Sequence, residues 1–119
     1  MDVTAEINER NATLHIAGEL DAVTTEGLLP IVDRVLAQGP RQLLVDLRRL
    51  RLIDSRGVGA LLHLSQQMHA SGGELFVSGA REQPLAILSL LHLDSRWAPR
   101  PHNDTSHDAH VVGESVQIA

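Results

Sequence analysis

Lysine and cysteine are absent from this sequence, and aromatic residues nearly so. Without lysine there is no Schiff-base amine, no P-loop lysine and no Ser–Lys dyad; all ten basic residues are arginine. The lysine expected beside a phosphorylated aspartate is missing too, which counts against Asp46 or Asp54 as a phosphoryl acceptor. Without cysteine there is neither a disulfide framework nor a thiolate metal site. Phe76 and Trp97 are the only aromatics, so the core must be aliphatic and stacking on nucleic-acid bases is not supported. A net charge of −5 argues against a polyanionic partner. No run of about 18 apolar residues occurs, and the opening M-D-V-T-A-E-I-N is no apolar signal segment, so a cytoplasmic location with no membrane partner is expected.

What is present is a 119-residue chain, 43% hydrophobic, long enough for one domain with one core. The chain is organised around residues 43–68. Leu43, Leu44, Val45 and Leu47, broken only by Asp46, have the density of a strand covered on both faces. From Val58 the period changes, and Val58, Leu61, Leu62, Ser65 and Met68 share one face of a helix while His63, Gln66 and Gln67 face away. Asp54-Ser55-Arg56-Gly57 marks the change. Asp and Ser both cap helix starts, because their side-chain oxygens accept from unpaired backbone N–H groups. Ser55 is therefore expected on the surface at a positive helix end. Taken alone, the Asp54-Ser55 pair is open to two readings: a simple cap, or a hydroxyl whose phosphorylation would place about −1.5 to −2 charges beside Asp54.

Around this centre, Val3, Ala5 and Ile7 and then Ala12, Leu14 and Ile16 alternate with polar residues, which predicts an antiparallel hairpin over residues 2–18. Gly18-Glu19-Leu20-Asp21 ends its second strand as a turn bearing solvated acids. Thr24 or Thr25 can cap the next helix, with Leu28, Ile31, Val32, Val35 and Leu36 inward and Gly39-Pro40 as its stop. Pro30 should kink that helix or delay its regular start. Arg48, Arg49 and Arg51 read as a short basic connection whose charges balance nearby acids. After Ser71-Gly72-Gly73 a strand is expected over residues 74–78. Gln83-Pro84 then opens a helix with Leu85, Leu88 and Leu91 inward, and residues 93–97 suggest a last short strand. Trp97 reads as core or edge cover. The domain is expected to span residues 1–98. Residues 99–119 form a poorly matched tail or a short helix capped at Thr105 and running through Ala109, Val112 and Val116. His102, His107 and His110 have no rigid ligand spacing, so no metal is expected, and the absence of a GxGxxG fingerprint leaves no cofactor.

I-D-S-R-G-V-G-A-L-L after a V-D-L strand, with Gly18-Glu19-Leu20-Asp21 after an earlier one, resembles the STAS domain of anti-sigma factor antagonists over about residues 3–97. The resemblance implies an α/β fold: a mixed sheet, with an N-terminal antiparallel hairpin and parallel central strands, against which helices pack. It implies a protein–protein switch and not an enzyme. In the family, the serine after the motif aspartate is phosphorylated by the cognate anti-sigma factor serine kinase, and that serine matches Ser55. Unphosphorylated antagonist binds the kinase and frees the sigma factor; a serine phosphatase resets the switch. By resemblance, the partner-binding face would comprise Glu19, Asp21, Asp54, Ser55, Arg56, Gly57 and Val58, with small Gly57 admitting a partner backbone. Arg56 stands where many members carry a second Ser or Thr. Its role is open between attracting the kinase's nucleotide phosphates and pairing with phosphoserine. The alternative is a STAS scaffold subunit of a larger signalling or transport complex, in which Ser55 is structural.

Overall fold

The structure, a computed structural model, describes residues 1–99 and 115–118. Its elements are β1 (Asp2–Asn8), β2 (Asn11–Leu20), α1 (Ala22–Ala37), β3 (Gln42–Asp46), β4 (Leu50–Ile53), α2 (Ser55–Ala70), β5 (Glu74–Ser78), α3 (Glu82–Leu90), α4 (Leu93–Arg96) and β6 (Ser115–Ile118). The sheet runs β5-β3-β2-β1-β6, antiparallel where β1 meets β2 and β6, and parallel between β2 and β3 and between β3 and β5. The hairpin follows from the alternation that marks it, with Val3 opposite Ile16 and Ala5 opposite Leu14.

Residues 47–53 depart from expectation. The basic connection contains a strand, β4, which takes over from β3 as the parallel neighbour of β2, pairing Gly18 with Leu50 and Leu20 with Ile53. A register shift between Gly18 and Glu19 leaves Leu50 buried and Leu52 exposed, although the two have the same parity. The arginines do answer nearby acids: Arg48 bonds Asp46, and Arg51 lies 3.4 Å from Glu19.

Coverage of the sheet is one-sided among the described residues. Val3, Ala5, Ala12, Leu14, Ile16, Leu43, Val45, Leu75 and Val77 enter the core, whereas Leu44 and Phe76 on the opposite face are only half-buried, so β3 is not covered on both faces. α1 contributes Leu28, Ile31, Val32 and Val35, and α2 contributes Val58, Leu61, Met68 and also Leu64, which the expected face omitted. Pro30 neither breaks nor delays α1, which starts earlier than expected, at Ala22, and carries the proline on its exposed side. α3 buries Pro84 and Leu88, with Ile87 packed beside them, whereas Leu85 and Leu91 face out. The expected strand after it is a short helix, α4, entered through His92 in the left-handed conformation; it seats Trp97 as the single aromatic of the core, 3% exposed. Val116, expected on a helix, lies in β6; the rest of that helix and His102, His107 and His110 lie outside the described residues.

Candidate functional site

Parallel pairing of β2 with β4 brings two helix starts together. β2 ends at Leu20 and passes through Asp21 into α1; β4 ends at Ile53 and passes through Asp54 into α2, with the Asp54 N–H donating to the Leu20 carbonyl at 3.1 Å. Both aspartates are N-caps. Asp21 accepts from the backbone N–H groups of Val23 and Thr24 at 3.0 Å, and Thr24 Oγ1 accepts from the Asp21 N–H at 2.9 Å, completing a capping box. Thr24 and Thr25, the expected caps, therefore lie inside the helix. Hydrogen bonds from the Thr24 backbone and hydroxyl hold the Asp21 carboxyl below its ordinary pKa. Asp54 Oδ1 accepts from the N–H of Arg56 at 2.9 Å and of Gly57 at 3.0 Å.

Because Asp54 caps α2, Ser55 does not. It is the first helical residue, exposed, and its hydroxyl makes no hydrogen bond among the described residues. Two positive helix ends thus stand side by side, each neutralised by its own carboxylate, with one free hydroxyl between cap and first turn. Glu19 sits on the last stretch of β2, its side chain partly exposed beside Arg51. Arg56 is exposed next to Ser55.

Gly57 and Val58 do not share that surface. Both are buried, and a Cβ added at Gly57 would lie 2.5 Å from the Leu20 carbonyl oxygen and 2.8 Å from Ile53 Cγ1. The close approach that Gly57 permits is therefore to β2 of its own chain, where it lets α2 seat against Leu20; the expected contact with a partner backbone is corrected accordingly. Two apolar side chains at the rim went unrecognised: Leu52, 47% exposed on β4, and Val23, 80% exposed on the first turn of α1. Val23 was detectable, since it falls off the helical face set by Leu28, Ile31, Val32 and Val35. The register shift at Gly18 hid Leu52.

A second polar cluster occupies the open sheet face. Asp46 Oδ2 lies 2.8 Å from His15 Nδ1 and 3.0 Å from Arg48 Nη2, and its Oδ1 accepts from the Arg48 N–H. With both oxygens engaged, Asp46 is an anchor for the turn after β3. Among the described residues no cluster of three or more side chains is placed to hold a metal ion, and no helix is long and apolar enough to cross a membrane.

The model of the STAS domain family matches residues 2–109. Among solved structures, the anti-sigma factor antagonist SpoIIAA in its unphosphorylated form superposes with a TM-score of 0.72 at 19% identity, over 82% of this chain and 85% of its own. An anti-sigma factor antagonist from Mycobacterium paratuberculosis gives 0.72 at 22% identity, over 86% and 87%. A sulfate transporter family protein from Wolinella succinogenes gives 0.64 at 20% identity, over 77% and 75%.

Proposed function

The chain belongs to the STAS domain family, and we propose that within it the protein acts as an anti-sigma factor antagonist whose switch is Ser55. The unphosphorylated surface of Glu19, Asp21, Asp54, Ser55 and Arg56, with Val23 and Leu52 at its rim, docks on an anti-sigma factor serine kinase in the cytoplasm and displaces the sigma factor. Transfer of phosphate to the Ser55 hydroxyl ends the interaction, and a serine phosphatase restores it. The observation that carries this reading is that Ser55 is exposed, hydrogen-bonds to nothing among the described residues, and stands one residue from a cap that needs no help from it.

A phosphate on that oxygen would meet Asp54 in the adjacent position, with Asp21 and Glu19 across the β2–β4 pair. Asp54 already occupies the N–H groups of Arg56 and Gly57, so a phosphate that takes them must displace the cap, and one that pairs only with the Arg56 guanidinium still carries excess negative charge into the interface. A penalty of about 2.7 kcal/mol lowers partner occupancy a hundredfold.

Catalysis by Ser55 lacks support, because among the described residues no histidine stands beside it and the adjacent Asp54 carboxylate is engaged in the cap. His63 and His69 lie further along α2, the nearer by eight residues or roughly 12 Å at 1.5 Å per residue. A non-switching STAS scaffold draws on the Wolinella succinogenes match, but it needs a structural task for Ser55, and Asp54 performs the capping.

Incubation with the anti-sigma factor kinase of the same organism and ATP, followed by peptide mass spectrometry, is expected to show one phosphate on Ser55. Ser55→Ala should bind the kinase as wild type does and stay unmodified, whereas Ser55→Asp should bind at least tenfold more weakly. Equal binding by all three favours the scaffold.

A further inference from the structure

The start of α3 is formed against local preference. Its N-cap, Arg81, makes no side-chain capping bond, and its first residue, Glu82, has a φ of +54°, a left-handed conformation that a side chain disfavours. Neither feature serves the helix. Both serve β4. Gln83 Oε1 accepts from the Ile53 N–H at 2.9 Å, and Gln83 Nε2 donates to the Ile53 carbonyl at 2.9 Å. An N–H only donates and a carbonyl only accepts, so the amide orientation is forced. Arg81 Nη2 meanwhile donates to the Arg48 carbonyl, just ahead of β4, at 3.1 Å.

β4 is four residues long and, among the described residues, pairs through its backbone with β2 alone. Its next backbone N–H, from Asp54, turns inward to Leu20, so the Ile53 amide and carbonyl point to the free edge, where a further strand would otherwise pair. The Gln83 side chain substitutes for that strand. Ile53 immediately precedes Asp54, so the Gln83 bonds on the outer edge and the Asp54 N–H bond to Leu20 on the inner one together fix the end of β4 ahead of Ser55.

We propose that Gln83 is a positioning residue for Ser55: presented by the distorted start of α3, its amide pins the end of β4 and thereby sets the pose of the Asp54 cap and the acceptor hydroxyl. The role at Ser55 rests on the switch reading above; the clamp on β4 does not.

Backbone amide exchange measured by NMR on the full chain tests the clamp without any kinase. Gln83→Leu keeps the side chain's bulk and removes both bonds. It should speed exchange at Ile53, Arg56 and Gly57 at least tenfold while Leu14, in the hairpin, stays within twofold of wild type. Gln83→Glu supplies a readout that a merely space-filling residue would not move. As a carboxylate it repels the Ile53 carbonyl; protonated, it again offers one donor and one acceptor. Protection at Ile53, corrected for intrinsic exchange, should therefore be low at neutral pH and recover towards wild type as the introduced carboxyl protonates, with the Ile53 amide resonance moving back alongside. Unchanged Ile53 protection in Gln83→Leu, acceleration shared equally by all slow amides, or no recovery in Gln83→Glu overturns the proposal.

With the kinase, Gln83→Leu should raise KM for Ser55 phosphorylation at least fivefold and leave kcat within twofold, because only the competent fraction of poses docks. Local loosening with an unchanged KM would separate the clamp from Ser55 and refute the positioning role. Wild type left unphosphorylated would refute the switch itself, and amide exchange would still decide the clamp.

Discussion

Asp46 is the one charged side chain buried among the described residues. Burial pushes its carboxyl up, but the Arg48 side chain and backbone N–H and the His15 ring more than offset this and hold it at about 2, against an ordinary 3.8. A depressed native pKa stabilises the fold above the unfolded value, and that stability is lost as pH falls from about 4 through about 2. The full shift corresponds to roughly 2 kcal/mol, and screening at the exposed Arg48 guanidinium reduces it to about 1 kcal/mol. Urea midpoints should accordingly fall more steeply between pH 4 and pH 2 for wild type than for Asp46→Asn, by about 1 kcal/mol. Parallel curves would show that the Arg48 and His15 bonds contribute nothing net. Residue roles were unevenly legible in the sequence. Asp54 and Ser55 announce a helix start, but which of them caps it depends on where the helical turn begins. At α1 the same ambiguity hid Asp21 behind Thr24, because Asp-x-x-Thr makes a capping box as well as Thr24 alone would make a cap.

Between α2 and β2 the decisive atom is one that is missing, the Cβ of Gly57. Gly57→Ala must push α2 away from the Leu20 carbonyl, and backbone on both sides cannot yield as a flexible side chain would. A loss of about 1–3 kcal/mol is expected in denaturant unfolding, with amide shifts changing at Ser55 and Leu20 together. A neutral substitution would mean that the two elements are less tightly seated than these distances require. Elements with a single strong period, the β1–β2 hairpin and the inward face of α1, were readable from the chain. β4 was not, because Arg48 and Arg49 lead into it, Arg51 lies within it, and a register shift breaks its alternation. α3 failed for the opposite reason: L-A-I-L-S-L-L offers an apolar residue to almost every face, so its orientation is decided by the Arg81 and Gln83 contacts with β4, which no periodicity reports.

For the molecule as a whole, the buried apolar side chains described run from Val3 in β1 to Trp97 after α4 and form one continuous cluster. Residues 1–98 are accordingly proposed as the self-sufficient folding unit. β6 adds four paired positions along β1. The net gain of about 1 kcal/mol per hydrogen bond is largely offset by the roughly 1–2 kcal/mol per residue needed to order the backbone. A chain ending at Ala98 should therefore unfold in one cooperative transition, followed through the fluorescence of Trp97, at a cost below about 2 kcal/mol. What the deletion changes is the edge. β1 would present unpaired N–H and C=O groups from Val3 to Glu6, the template on which a second copy can add antiparallel. Sedimentation should then show concentration-dependent self-association in the shortened chain beyond that of the full one. A shortened chain that loses its cooperative transition would instead make β6 part of the fold, with residues 1–98 unable to hold the Asp54 and Ser55 surface in place unaided.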